Sequence, residues 1–396
     1  MRTMSLAVLA CLLTCFCGFT SLSSASAVLY VNPDLGNDQN RGDENHPVQS
    51  LSEAIRRIPD PLYQSMEIRL MHGLYAATGS KNMPSDQLHL MRRMSPGVKV
   101  SIMGLTGKDG TVPCMDWKNS PLIYATEGDW WIENLQIAQN SQKQRRGIMV
   151  EGPAHVTLKN VTIRTRSQSD AAIYVHRGGK VSLRGHININ EHLHDQAPEE
   201  SFAGIIADDH GLIQFVEREG ASLQIGNGSL SVMYYGVIRL GCETARITSW
   251  GDQSNTLAIN NGGRIDLHNT DTILCAKKTR NTPIGLEDDG HILGEGAHVT
   301  IIGENENAIV LQKASTFTCN DIELKGAFKN AVQAMSGSMF VGRFLGDVPG
   351  LYATTGASVN IEATKGKITG PVTATNTGMI SLPDRIVTSR QNEAQQ

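Results

Sequence analysis

Two short segments, NEHLHD (190–195) and ADDHG (207–211), bring acidic and imidazole groups together more densely than any other part of the chain, with Glu151 and His176 upstream and Arg239 downstream. Imidazole or guanidinium beside carboxylates suits removal of a proton next to a carboxylate, provided a cation holds the charge that develops. On that reading Arg239, His176 or His194 is the base. Asp208 with Asp209 is the candidate metal pair, and calcium is the ion such oxygen ligands favour. Hydrolysis would instead need two carboxylates at a set separation, for which Glu151 and Asp208 are the available pair.

Such groups can cooperate only if the backbone aligns them, and the sequence contains a device for doing so. From Gly147 onward a frame recurs: a small residue, aliphatic-x-aliphatic, a short turn, then aliphatic-x-aliphatic again. "GIMVEGPAHVTLKNVTI", "AAIYVHRGGKVSLRGHINI" and "NTLAINNGGRIDLHNTDTI" are examples. Its first aliphatic falls at Ile148, Ile173, Ile205, Ile238, Leu257, Ile284, Ile309, Val332, Leu351 and Val372, returning about every 25 residues. The period within each repeat is two, which specifies strands. Stacked repeats of two or three short strands would bury one continuous aliphatic core, an all-β, right-handed parallel β-helix of about ten coils. Asn160, Gly185, Asn269, Gly303 and Asp321 stand at one offset and suit a left-handed corner. A β-sandwich also has short strands at regular spacing, but it does not require the same corner chemistry at the same offset.

In such a stack the first strands form a sheet with common outward rows, neighbours about 4.8 Å apart. One row reads Met149, Tyr174, Ile206, Arg239, Ala258, Gly285, Val310. The next, just past the strands, reads Glu151, His176, Asp208, Gly241, Asn260, Glu287, Gln312. Polar groups beside aliphatics suit either a sugar groove or a face covered by a loop or a second subunit. Two strand spacings put Asp208 about 9.6 Å from Glu151, near the upper limit for an inverting pair. Glu287-Asp288-Asp289 forms a second acidic turn. Arg145-Arg146 and Arg164-x-Arg166 are short basic pairs on early repeats.

The N-terminal region adds more. Arg2, the apolar run Leu6 to Phe19 and Ala25-Ser26-Ala27 have the layout of a cleaved export signal over 1–27, and the run is too short for an integral membrane span. Ser50 with Glu53 makes a capping box for a short helix ended by Pro59. Leu51, Ala54, Ile55 and Ile58 share one face, as a lid over an otherwise raw strand edge requires. The preceding Asn/Asp loop lacks the spacing of an EF-hand.

"YVNPDLGNDQNRGDENHPVQSLSEAI", "MHGLY" (71–75) and "VKVSIMG" (98–104) together resemble the opening of secreted right-handed parallel β-helix proteins of the pectate-lyase-like superfamily. That resemblance implies the fold over nearly the whole exported chain; the superfamily's activities are too varied to imply one. "DDHG" and "NTD" are similar to signatures of polygalacturonase-type hydrolases but occur in the wrong order, and the Asn-Gly-x-Glu of alginate-type epimerases is absent.

The expected organisation is therefore an export signal (1–27), an N-terminal cap with irregular coils (28–127), the repeat (128–382) and a polar tail (383–396). The net charge of −4 comes with no long basic run, which argues against nucleic acid as a partner. Cys114, Cys242, Cys275 and Cys319 lie far apart without CxxC spacing, giving no metal site and no dense disulfide framework. Buried thiols and one or two disulfides both stay open. The expected function is binding, and cleavage by β-elimination, of an acidic polysaccharide. Arg239, His176 and His194 carry the chemistry, Glu151, Tyr174, Arg164, Arg166 and Asn260 hold the chain, and Asp208 and Asp209 hold calcium. The alternative is a non-enzymatic cell-surface or adhesion module, as a monomer or trimer.

Overall fold

The structure, a computed structural model, describes residues 27–76, 88–117, 123–139, 146–165, 171–191, 204–250, 255–277 and 282–389. The export signal, save Ala27, lies outside the described residues. So do Arg166, the loop carrying His194, and Arg145. Among the described residues no helix is long and apolar enough to cross a membrane.

The strands arise as the period of two requires. Ile148, Ile173, Ile205, Leu230, Leu257, Ile284 and Ile309 stand in register on successive parallel strands, each almost wholly buried. Val150, Val175, Ala207, Val232, Ile259, Leu286 and Leu311 form the next inward row. Burying each larger aliphatic contributes roughly 1.5–3 kcal/mol, so strand edges far apart in sequence are held together by a shared interior. Phe317, Phe340 and Phe344 extend that interior as a stack, with centroids 5.4 and 5.9 Å apart.

The expected right-handed solenoid of about ten coils does not describe how these strands assemble. Among the described residues they sort into a 12-stranded parallel sheet and a separate 20-stranded sheet. Within the larger sheet eight strands close into a ring of parallel pairings. In order they are Lys180–Ile189, Leu212–Phe215, Val237–Arg239, Arg264–Asp266, His291–Gly303, Asp271–Lys277, Thr244–Trp250 and Ser222–Ile225. The cause is local. Lys180–Ile189 and His291–Gly303 run unbroken through a bend and pair on both sides of it, whereas the chain between them splits there into two shorter strands.

At that bend Asn160, Gly185 and Asn269 have φ of 52°, 56° and 52°, as the corner column requires. Gly303 and Asp321 do not adopt positive φ; Gly296, at 67°, takes the bend on its strand instead. At Gly185 an added Cβ would stand 2.2 Å from Asn160 Oδ1, which occupies the neighbouring corner.

Helix α1 (Leu51–Arg56) buries Leu51, Ala54 and Ile55 beside the first strand, Ala27–Val31. Ser50 Oγ accepts from the Glu53 amide, but the reciprocal half of the capping box is replaced. Asp38 Oδ1 accepts from the Ser50 amide at 2.7 Å, and the Glu53 carboxylate turns to Arg56 and Arg57. The polar loop spends its side chains on its own backbone, Asn32 Oδ1 accepting from the Asp34 and Leu35 amides. At the other end Ile386–Thr388, within the segment expected as a tail, pairs antiparallel with Met379–Ser381.

Candidate functional site

Three neighbouring interior strands of the 12-stranded sheet bring several of the expected residues together at their C-terminal ends. Ile148–Glu151 pairs with Ile173–His176, placing Glu151 opposite His176, and Tyr174 stands between Met149 and Ile206. Asp208 follows Ile205–Ala207 on the third strand. Glu151, His176 and Asp208 thus form the expected row.

The side chains interlock. His176 Nε2 lies 2.8 Å from Glu151 Oε2, an ion-pair distance without hydrogen-bond alignment. Tyr124 donates its hydroxyl to Glu151 Oε1, and the Arg177 guanidinium stands 3.5 Å from Oε2. Tyr174 donates to Asp208 Oδ2 at 2.6 Å, while Asp208 Oδ1 is buried with no partner. The Tyr174 and His176 rings are 5.0 Å apart, and the Arg146 guanidinium roofs Tyr174 at 3.5 Å from its centroid. His89 stacks on Tyr124 at 5.1 Å.

Burial sets the protonation states. It pulls the His176 imidazole below its ordinary value, against the opposing pull of Glu151, so the ring is neutral at pH 7. His89 is lowered by burial in the same way. Burial, reinforced by the neighbouring carboxylate, pushes Tyr124 and Tyr174 each to about 12, so both phenols stay protonated. A neutral base, two proton donors, two carboxylates and two guanidinium groups therefore share a few strand spacings.

Other expected residues lie elsewhere. Arg239 is in Val237–Arg239 of the larger sheet, where its Nε is 3.4 Å from Asp266. Leu230–Val232 takes the place in the row that the sequence frame gave to Ile238. The reason is that "GVIRL" and "SLSV" fit the same small-aliphatic-x-aliphatic pattern, and only pairing tells them apart. Asn260 stays on the row, its amide bonded to Val232 O, but two strands beyond Asp208. Arg164 is exposed near the end of His155–Thr165 in the larger sheet.

Asp209 sits in a left-handed turn with its carboxylate beside His210. Among the described residues no three His, Cys, Asp or Glu side chains converge as metal ligands. The second acidic turn is neutralised by Lys313, whose ammonium lies 2.8 Å from Glu287 and 3.1 Å from Asp288.

Sequence reading missed Tyr124, Arg177 and His89, and it took Arg146 only as one of a basic pair. Tyr124 was within reach: "LIYATEG" repeats the aliphatic-x-small frame one repeat before Gly147.

No protein-family model matches the chain and no curated protein matches it, so the resemblance at the N-terminal region is not carried to a family. Among solved structures, a GH136 lacto-N-biosidase from Eubacterium ramulus aligns over 90% of this chain and 68% of its own, with 12% identity and a TM-score of 0.43. Its native form aligns over the same shares with 10% identity and a TM-score of 0.40. A rhamnogalacturonan lyase aligns over 87% of this chain and 85% of its own, with 9% identity and a TM-score of 0.38. Likenesses this distant say nothing about what the chain does.

Proposed function

We propose that this is an exported protein that binds an acidic polysaccharide across the C-terminal strand ends of the 12-stranded sheet, along the Glu151–His176–Asp208 row, and cleaves it by β-elimination. The supporting observation is the His176 imidazole, kept neutral by burial and held beside Glu151, with Arg146, Arg177 and two protonated phenols around it.

Each group has a part. With Nε2 turned toward Glu151, Nδ1 of His176 is left to take the proton from the carbon next to the sugar carboxylate. Arg146 and Arg177 offset the charge gathering on that carboxylate. Tyr174, 5.0 Å from the imidazole ring, delivers its proton to the departing glycosidic oxygen. The C–H electrons become a C4=C5 double bond as the C4–O bond breaks, so no co-reactant is consumed. Asp208 Oδ1, buried and unpartnered, is an acceptor for a sugar hydroxyl. The side chains around Asp208 and Asp209 do not make a calcium cage by themselves, and no step here depends on calcium.

The test is incubation of the purified chain with polygalacturonate, alginate and chondroitin sulfate while following the ultraviolet absorbance of the new double bond. Product with one polymer, abolished by His176→Ala with binding retained, is the expected result. No product from any of them overturns the reading. One observation favours a second reading, a non-catalytic surface module: Tyr174 is only 7% exposed beneath Arg146. Unchanged polymer binding in Glu151→Gln and Asp208→Ala, together with no turnover, would select that module.

A further inference from the structure

Beside the proposed site runs a row of two-residue turns in which both residues have positive φ, as type I′ turns require. Arg177-Gly178, Asn261-Gly262, Ser336-Gly337 and Thr355-Gly356 include a glycine, whereas Asp209-His210, Asp288-Asp289, Lys313-Ala314 and Asn376-Thr377 do without one. Tyr234-Tyr235 is the pair among these with two phenol side chains. Its φ values are 45° and 64°, a conformation bulky side chains rarely adopt. The rings do not recover this cost by burial, since Tyr234 is 54% and Tyr235 63% exposed.

The surroundings favour this arrangement. Tyr235 stacks on His210 at 5.6 Å with 28° between the rings, and His210 belongs to the turn that carries Asp208 and Asp209. On the next turn, a Cβ at Gly262 would stand 2.5 Å from the Tyr235 ring, so glycine there leaves the ring its place. Strained backbone kept where packing does not demand it marks a functional position.

We propose that Tyr234 and Tyr235 form a carbohydrate-stacking platform that continues the polysaccharide site past Asp208. The inference rests on the reading of the Glu151–His176–Asp208 row as a polysaccharide site. Strand register puts Met233, just before the tyrosines, one spacing of about 4.8 Å beyond Asp208. A polymer lying along the row therefore meets the two rings next. A phenol presents an apolar face and a hydroxyl that stays wet, which suits a sugar with its flat C–H face and its rim of hydroxyls. Tyrosine also loses little conformational freedom on binding.

The test copies the neighbouring turn into this one, Tyr234→Asn with Tyr235→Gly, and measures affinity for polygalacturonate, alginate and chondroitin sulfate, turnover, and the thermal midpoint. The new turn suits the backbone better, so the midpoint is expected to hold or rise. Affinity for the bound polymer is expected to fall about tenfold, as for loss of an aromatic anchor. Unchanged affinity, with His176→Ala still abolishing turnover, overturns the platform and leaves the lyase reading standing. Lost affinity in a protein that turns over nothing keeps the platform and removes the lyase. Failure of the unaltered chain to bind any of the three polymers overturns both. A change of oligomeric state with polymer binding unaltered overturns the platform in favour of a contact between copies.

Discussion

Glu151 Oε2 and His176 Nε2 lie 2.8 Å apart across directly paired positions of adjacent parallel strands, although 25 residues of chain separate them. Burial lowers the imidazole and the carboxylate partly restores it. The plot of kcat/KM against pH should therefore rise to a plateau with an apparent pKa below 6.5, the ordinary histidine value. Glu151→Gln removes the restoring charge and should move that limb further toward acid. A limb that stays in place, or moves toward neutrality, would show that the titrating group is not His176.

Stability should follow pH through the same ring and through His89. Both have folded-state values below the unfolded one, so the unfolded chain takes up protons first as pH falls. Stability is then fully present above about pH 6.5 and declines as pH drops through that value, levelling off once the folded rings protonate. Thermal melts between pH 8 and pH 5 check this, and His89→Asn should flatten part of the decline.

The bend at Gly185 should tolerate no side chain. An added Cβ would lie 2.2 Å from Asn160 Oδ1, at φ of 56°. Gly185→Ala is expected to cost about 1–3 kcal/mol in urea denaturation. Gly178→Ala, at φ of 77° but with open space around it, should cost less.

Cys242, Cys275 and Cys319 are buried free thiols. Burial pushes Cys242 and Cys319 to about 12, leaving almost no thiolate at neutral pH. A thiol reagent should leave both unlabelled in the native protein and label them in denaturant. Rapid native labelling of Cys242 would contradict its complete burial.

How far the sequence reached can be traced residue by residue. The inward aliphatics from Ile148 to Val372 were legible because period-two alternation directly reports which face is buried. The Glu151–His176–Asp208 row followed from counting along the same frame. Arg239 was misplaced because one hydrophobic phrase serves two sheets, and the difference lies in pairing partners that no local window contains. The closed ring of the larger sheet was illegible for a related reason. It depends on whether a strand continues through its bend, which Lys180–Ile189 does and the chain from Leu212 to Ile225 does not. Tyr234 and Tyr235 gave no signal in the sequence, since only backbone angles and exposure show two phenols held at positive φ.

The register between Ile173 and Ile205 is the same as that between Ile205 and Leu230, although a longer stretch of chain intervenes in the first case. Length added between rungs therefore leaves the rungs where they are. A protein built this way can gain or lose whole walls around its floor over evolutionary time, trying new partners while the floor keeps its shape.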